Sequence, residues 1–139
     1  MGDIVDRVSD QGLDASVYDA VGGLPFFVDL VDGFYAGVSA DPLLRPMYPD
    51  DLTDSRRHLA GFLAQYWGGP SAYSGERGHP RLRMRHAPFA IGAPERDAWL
   101  RHMLASLDSV TRSRGTHPEA VARIRAYLTD VADFLVNAR

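Results

Sequence analysis

The 139-residue chain contains no cysteine. This excludes disulfides, thiolate nucleophiles and cysteine-ligated zinc or iron–sulfur centres, and leaves histidine and carboxylate as the strong metal ligands. Lysine is absent too: all fifteen basic residues are arginine, the side chain best suited to planar, bidentate contact with carboxylate or phosphate. No apolar run approaches the roughly eighteen residues that span a bilayer, and the opening MGDIVDRVSD lacks the basic and apolar regions of a signal peptide. A cytoplasmic location without integral membrane association is therefore expected. The net charge of −3 argues against a general polyanion binder, although residues 1–54 hold eleven acids against only Arg7 and Arg45.

What is present is helical periodicity. The length and the 45% hydrophobic content suit one domain with a single core. Residues 1–15 are acidic and weakly patterned, and are expected to form a mobile extension ahead of a domain over 16–139. Tyr18 to Val21 predicts a short helix ended by Gly22-Gly23. Pro25 then opens a helix in which Phe27, Leu30, Val31, Phe34, Tyr35 and Val38 recur at intervals of three and four. Asp41-Pro42 breaks it, and LLRPMYPDD reads as a proline-punctuated connection. A second long helix from about Thr53 carries Leu59, Phe62, Leu63 and Tyr66 on one face until Trp67-Gly68-Gly69-Pro70 stops it. Pro94 opens a third, with Leu100, Met103, Leu104 and Leu107 in register. Thr116-His117-Pro118 starts a fourth, striped with Val121, Ile124, Leu128, Val131 and Leu135. No alternating strands and no internal repeat are visible, so the expected fold is all-α.

The segment HPRLRMRHAPF, residues 79–89, carries the chemistry. Pro80 and Pro88 frame a short helix in which Leu82, His86 and Phe89 fall on one face, with Arg81 and Arg85 one turn apart beside it and Arg83 pointing elsewhere. A single histidine makes a poor zinc site; His79 and His58 lie at the wrong spacing and HExxH is absent. Haem differs, because its porphyrin supplies four nitrogens and the protein needs to add only one axial imidazole. One histidine beside arginines for the haem carboxylates is then sufficient. A basic patch for nucleic acid is the weaker reading, since the patch is short and the net charge negative.

The motifs YDAVGG (18–23), FY (34–35), YP (48–49), QYWGGP (65–70), YSGERGHPRLRMRHAPF (73–89) and ERDAWL (95–100) resemble, in order, those of the group II, or O-type, truncated haemoglobins of actinobacteria. The resemblance covers roughly Ser16 to Leu107. It implies a two-over-two helical sandwich around non-covalently held haem b, with His86 as the proximal iron ligand and Tyr48 and Trp99 as distal residues. Tyr35 falls on another tyrosine of that pocket. Beside these roles, Leu59, Phe62 and Leu82 are core residues whose core would include the porphyrin faces, Arg85 is the partner expected for a haem propionate, and Tyr73 is a second candidate from the preceding loop. A buried phenol or indole N–H needs a partner, and a bound dioxygen that gathers negative charge would supply it. The expected function is reversible binding of dioxygen and other diatomic ligands, as in oxygen transport. The alternative is nitric oxide dioxygenation or peroxidase chemistry, which would need an external flavoprotein reductase because no reductase domain is fused to the chain. Two departures stand out: the connection between Tyr48 and Leu59 is a residue shorter than the family pattern, which leaves the place of Ser55 at the ligand access open, and the leader before Ser16 is additional. Tyr127 and Phe134 suit either the core or a subunit contact, so a homodimer stays open.

Overall fold

The computed structural model describes residues 16–69 and 91–136. Five α-helices and one 3-10 turn make up these residues: α1 Val17–Ala20, α2 Leu24–Ser39, the turn Arg45–Met47, α3 Thr53–Tyr66, α4 Ala93–Arg114 and α5 Pro118–Phe134. Local stereochemistry sets the boundaries. The Ser16 hydroxyl caps α1 by accepting the Asp19 N–H at 3.2 Å. Gly22 and Gly23 then turn the chain with φ of 99° and 81°, a region that other residues enter only at a cost. Proline occupies the first turns of α2, α4 and α5, where its missing N–H removes nothing from the helical ladder. His117 caps α5, its Nδ1 accepting the Ala120 N–H at 3.4 Å.

Helix α2 packs against both α3 and α4, and α4 packs in turn against α5. The pair α2–α3 thus lies against the pair α4–α5, two helices over two. Phe26, Phe27, Leu30, Val31, Phe34 and Val38 of α2 are fully buried, together with Met103 and Leu107 of α4; each such side chain contributes about 1.5–3 kcal/mol of transfer free energy. Two glycines of α2 face α4. A Cβ at Gly33 would overlap Ser106 Oγ, and one at Gly37 would overlap the His102 ring. In the space so left, Ser106 Oγ donates to the Leu30 carbonyl at 2.6 Å.

The apolar face expected on α3 is extended by two alanines. Ala60, Leu63 and Ala64 turn into the helix layer, whereas Leu59, Phe62 and Tyr66 stay partly buried at its flank. Two alanines permit closer helix approach than the larger side chains would, so the buried stripe extends toward them. Trp67, read as part of a helix stop, is a core residue as well: it is 3% exposed and stands edge-to-face on Tyr66 and Tyr127. Tyr127 stacks on Tyr66 with centroids 4.1 Å apart and so belongs to the helix packing, while Phe134 is exposed. Among the described residues no helix is long and apolar enough to cross a membrane.

Candidate functional site

Three separate segments bring an aromatic cluster together. Tyr35 comes from α2, Tyr48 follows the 3-10 turn in extended backbone, and Trp99 lies in the second turn of α4. The rings of Tyr35 and Tyr48 meet edge-to-face at 5.5 Å, and Phe34 meets Trp99 in the same way at 5.6 Å. Tyr48 is hydrogen-bonded to Trp99, and Tyr35 to Ser55 on α3. An indole N–H can only donate. Tyr48 Oη is therefore the acceptor from Trp99, and the Tyr48 O–H is left as the donor the pair can offer.

Burial keeps these phenols protonated. It pushes Tyr35 up from 10.0 to about 12, against smaller downward effects of the Ser55 hydrogen bond and the Arg56 charge. Burial raises Tyr48 further, with the neighbouring Tyr35 adding to it and the Trp99 hydrogen bond opposing it. Both hydroxyls are neutral donors throughout the physiological range. An ionised Tyr48 could accept only; the neutral one presents a proton to an electron-rich ligand.

Beside Tyr48 and Trp99 lies a small apolar cavity of about 40 Å³, lined also by Leu44, Met47, Ile91, Ala132 and Leu135, with Glu95 and Arg96 completing the wall. Arg96 is ion-paired to Asp97 and Asp133, which ties the start of α4 to the end of α5. Leu59 and Phe62 of α3 and Leu100 and Leu104 of α4 are packed against the core yet only partly covered. Apolar side chains left partly uncovered on α3 and α4, together with a buried hydroxyl donor, fit a flat apolar group such as a porphyrin. Among the described residues, no group of three His, Cys, Asp or Glu side chains comes together to hold a bare metal ion.

Of the residues singled out from the sequence, Tyr35, Tyr48 and Trp99 are in contact, and Leu59 and Phe62 flank the core. His86, Arg85, Leu82 and Tyr73 lie outside the described residues. Three contributors were not anticipated. Arg45 donates to the carbonyls of Tyr48, Pro49 and Asp50, while Asp41 bridges to His102. The only sequence signal for them was the position of Arg45 as one of two basic residues in an acidic stretch.

The model of the bacterial-like globin family matches residues 16–133. The chain belongs to that family, and its all-α sandwich is the two-over-two fold of the truncated haemoglobins. It is 47% identical over 93 residues to the group 2 truncated haemoglobin YjbI of Bacillus subtilis, covering 67% of this chain and 70% of that protein. A haemoglobin from Chloroflexus aurantiacus superposes with a TM-score of 0.84 at 48% identity, over 89% of this chain and 99% of the other. A thermostable haemoglobin from the actinobacterium Thermobifida fusca gives a TM-score of 0.82 at 49% identity, over 88% and 97%. The expected resemblance to group II truncated haemoglobins is thereby borne out, and with it a family cofactor, haem held without covalent attachment.

Proposed function

We propose that this globin binds dioxygen reversibly at haem b, whose iron His86 would hold, with Tyr48, oriented by Trp99, as the hydrogen-bond donor to the ligand. Haem, when bound, supplies an iron centre that takes up a diatomic ligand and shifts electron density onto it. The chain's own residues do the rest. The Trp99 indole donates to Tyr48 Oη and so fixes the phenol's rotation, the Tyr48 O–H donates to the ligand, and Tyr35, held by Ser55, backs the Tyr48 ring edge-on. Leu59 and Phe62, partly buried against the core, would cover a porphyrin face and exclude water, which would preserve the strength of the hydrogen bond. By the resemblance, Arg85, with Tyr73 as a second candidate, would pair with a propionate, and Leu82 would contribute to the haem-binding core. Ser55 acts through Tyr35 in this reading rather than as a lining of the ligand's access.

The observation that carries the proposal is the convergence of Tyr35, Tyr48 and Trp99 from three segments, which sets a buried, neutral Tyr48 hydroxyl beside the Trp99 indole. The location is cytoplasmic in this proposal, and any redox turnover on nitric oxide or peroxide draws electrons from a separate flavoprotein. Optical oxygen titration of the reduced, haem-loaded chain tests the proposal. Spectra should cycle between the deoxy and oxygenated forms as oxygen is added and removed; oxidation to the ferric form within the first cycle overturns reversible binding.

A further inference from the structure

Tyr48 stands in no helix. Its backbone is extended, and its N–H reaches only the Arg45 carbonyl, at 3.2 Å. The Arg45 guanidinium folds back over the same stretch, donating to Tyr48 O at 3.2 Å, Pro49 O at 3.0 Å and Asp50 O at 2.9 Å. One planar, multi-donor group thereby gathers three successive carbonyls. The base of this loop is anchored separately. Asp41 Oδ2 lies 2.7 Å from His102 Nε2, its Oδ1 accepts the Leu43 N–H at 2.9 Å, and its carbonyl accepts the Arg45 N–H at 2.9 Å. His102 is three residues from Trp99 on α4, a rise of about 4.5 Å. The loop therefore meets α4 twice, through Asp41 at its base and through Tyr48 near its end.

We infer that Arg45 and the Asp41–His102 bridge are positioning residues that hold Tyr48 in register with Trp99, and so set the direction in which the phenol donates. This rests on the proposal that Tyr48 donates to the ligand. The bridge is unlike the exposed pairs of the surface: the Asp41 and His102 side chains are 11% and 19% exposed, whereas Arg57 and Asp54, 3.5 Å apart, are 57% and 78% exposed. Arg101, 3.5 Å from Asp41, adds a second cation on the same face of α4. A hydrogen bond weakens steeply as its angle closes, so a loop released from either tie loses the Trp99 N–H before it loses its aromatic packing.

The chain has two tryptophans, and the Trp67 indole N–H has no hydrogen-bond partner among the described residues, which separates its signal from that of Trp99. The test uses the haem-loaded, carbon monoxide-saturated full chain, with solvent exchange of the Trp99 indole proton followed by NMR and O2 and CO release measured in parallel. Arg45→Leu and Asp41→Ala should each speed Trp99 exchange and O2 release roughly tenfold, the effect of losing one well-placed hydrogen bond, with CO release little changed. Asp41→Asn, which keeps one of the two acceptor oxygens, and Arg45→Lys, which can reach one carbonyl rather than three, should both be intermediate. Lowered thermal stability with wild-type Trp99 exchange overturns the inference, as does an Asp41→Asn variant as impaired as Asp41→Ala. If Trp99 exchange responds but O2 release does not, even in Tyr48→Phe, the positioning role stands and the donor role of Tyr48 falls. Should Arg45→Leu fail to load haem, the two conservative variants carry the same comparison.

Discussion

Replacing Trp99 and Tyr48 by phenylalanine, singly and together, separates a donor that touches the ligand from a donor that acts through a neighbour. In this structure the Trp99 N–H is spent on Tyr48 Oη. Trp99→Phe therefore removes a neutral hydrogen bond, worth about 0.5–1.5 kcal/mol, and leaves the Tyr48 O–H in place but less well oriented. O2 release should accelerate roughly 2- to 12-fold. Tyr48→Phe removes the donor itself, a hydrogen bond to a group carrying negative charge, worth about 1.5–3 kcal/mol. The expected acceleration is roughly 10- to 150-fold. Because Trp99 acts through Tyr48, the double variant should release O2 no faster than Tyr48→Phe alone, a coupling energy that cancels the Trp99 effect. Tyr35 lies close enough to compensate by reorienting; its contribution is read from Tyr35→Phe in the Tyr48→Phe background. Stopped-flow displacement of O2 by CO gives the rates, and CO release, which gains little from a proton donor, is the control. A Trp99→Phe effect equal to or larger than that of Tyr48→Phe, or additive effects in the double variant, would refute the relay from indole to phenol to ligand.

Burial raises Tyr35, Tyr48, Tyr66 and Tyr127 above the ordinary tyrosine value. A folded-state pKa above the unfolded one contributes stability that is complete below about pH 10 and is lost as pH rises through the folded value; for Tyr35, moved from 10.0 to about 12, this amounts to ~3 kcal/mol. Tyrosinate absorbance should therefore develop in two stages, the second coincident with alkaline unfolding by circular dichroism, and a single transition near pH 10 in the folded protein contradicts this. Gly33→Ala should lower the thermal midpoint, because its Cβ displaces Ser106 Oγ from the Leu30 carbonyl at about 1–3 kcal/mol, more than the ~1 kcal/mol gained in helix propensity; adding Ser106→Ala should recover most of the loss. Arg85→Leu should speed haem transfer to an apo-globin acceptor by up to about fivefold, since a partly exposed ion pair is worth roughly 1 kcal/mol or less, whereas Arg83→Leu should leave the transfer rate unchanged.

The helix boundaries were legible because they are local: Gly22-Gly23, Pro25, Pro94 and His117-Pro118 act within a turn of themselves. The buried stripe of α2 was equally plain, since every residue assigned to it is buried, with Phe26 in addition. On α3 periodicity found the helix and a face on which Leu63 is buried and Leu59, Phe62 and Tyr66 pack against the core, but not Ala60 and Ala64, which do not read as core until a neighbouring helix approaches them. The aromatic site lay further from reach. Tyr48 and Trp99 are fifty-one residues apart, and no spacing rule joins them; the resemblance to truncated haemoglobins did so. It did not say that the indole would donate to the phenol, nor that Asp41, sixty-one residues from His102, would tie the loop to α4. Arg45 left no periodic trace at all, since its partners are backbone carbonyls that any residue could have supplied.

Haem titration of the full chain, paired with His86→Gly, tests the central claim most directly. The wild-type protein should bind one haem b per chain with an intense Soret band, and acidified butanone should extract all of it. His86→Gly should lose the axial imidazole, seen as a changed ferrous spectrum, and free imidazole should restore the wild-type spectrum by filling the vacated space. A wild-type chain that takes up no haem, or a His86→Gly variant with an unaltered five-coordinate ferrous spectrum, contradicts the account.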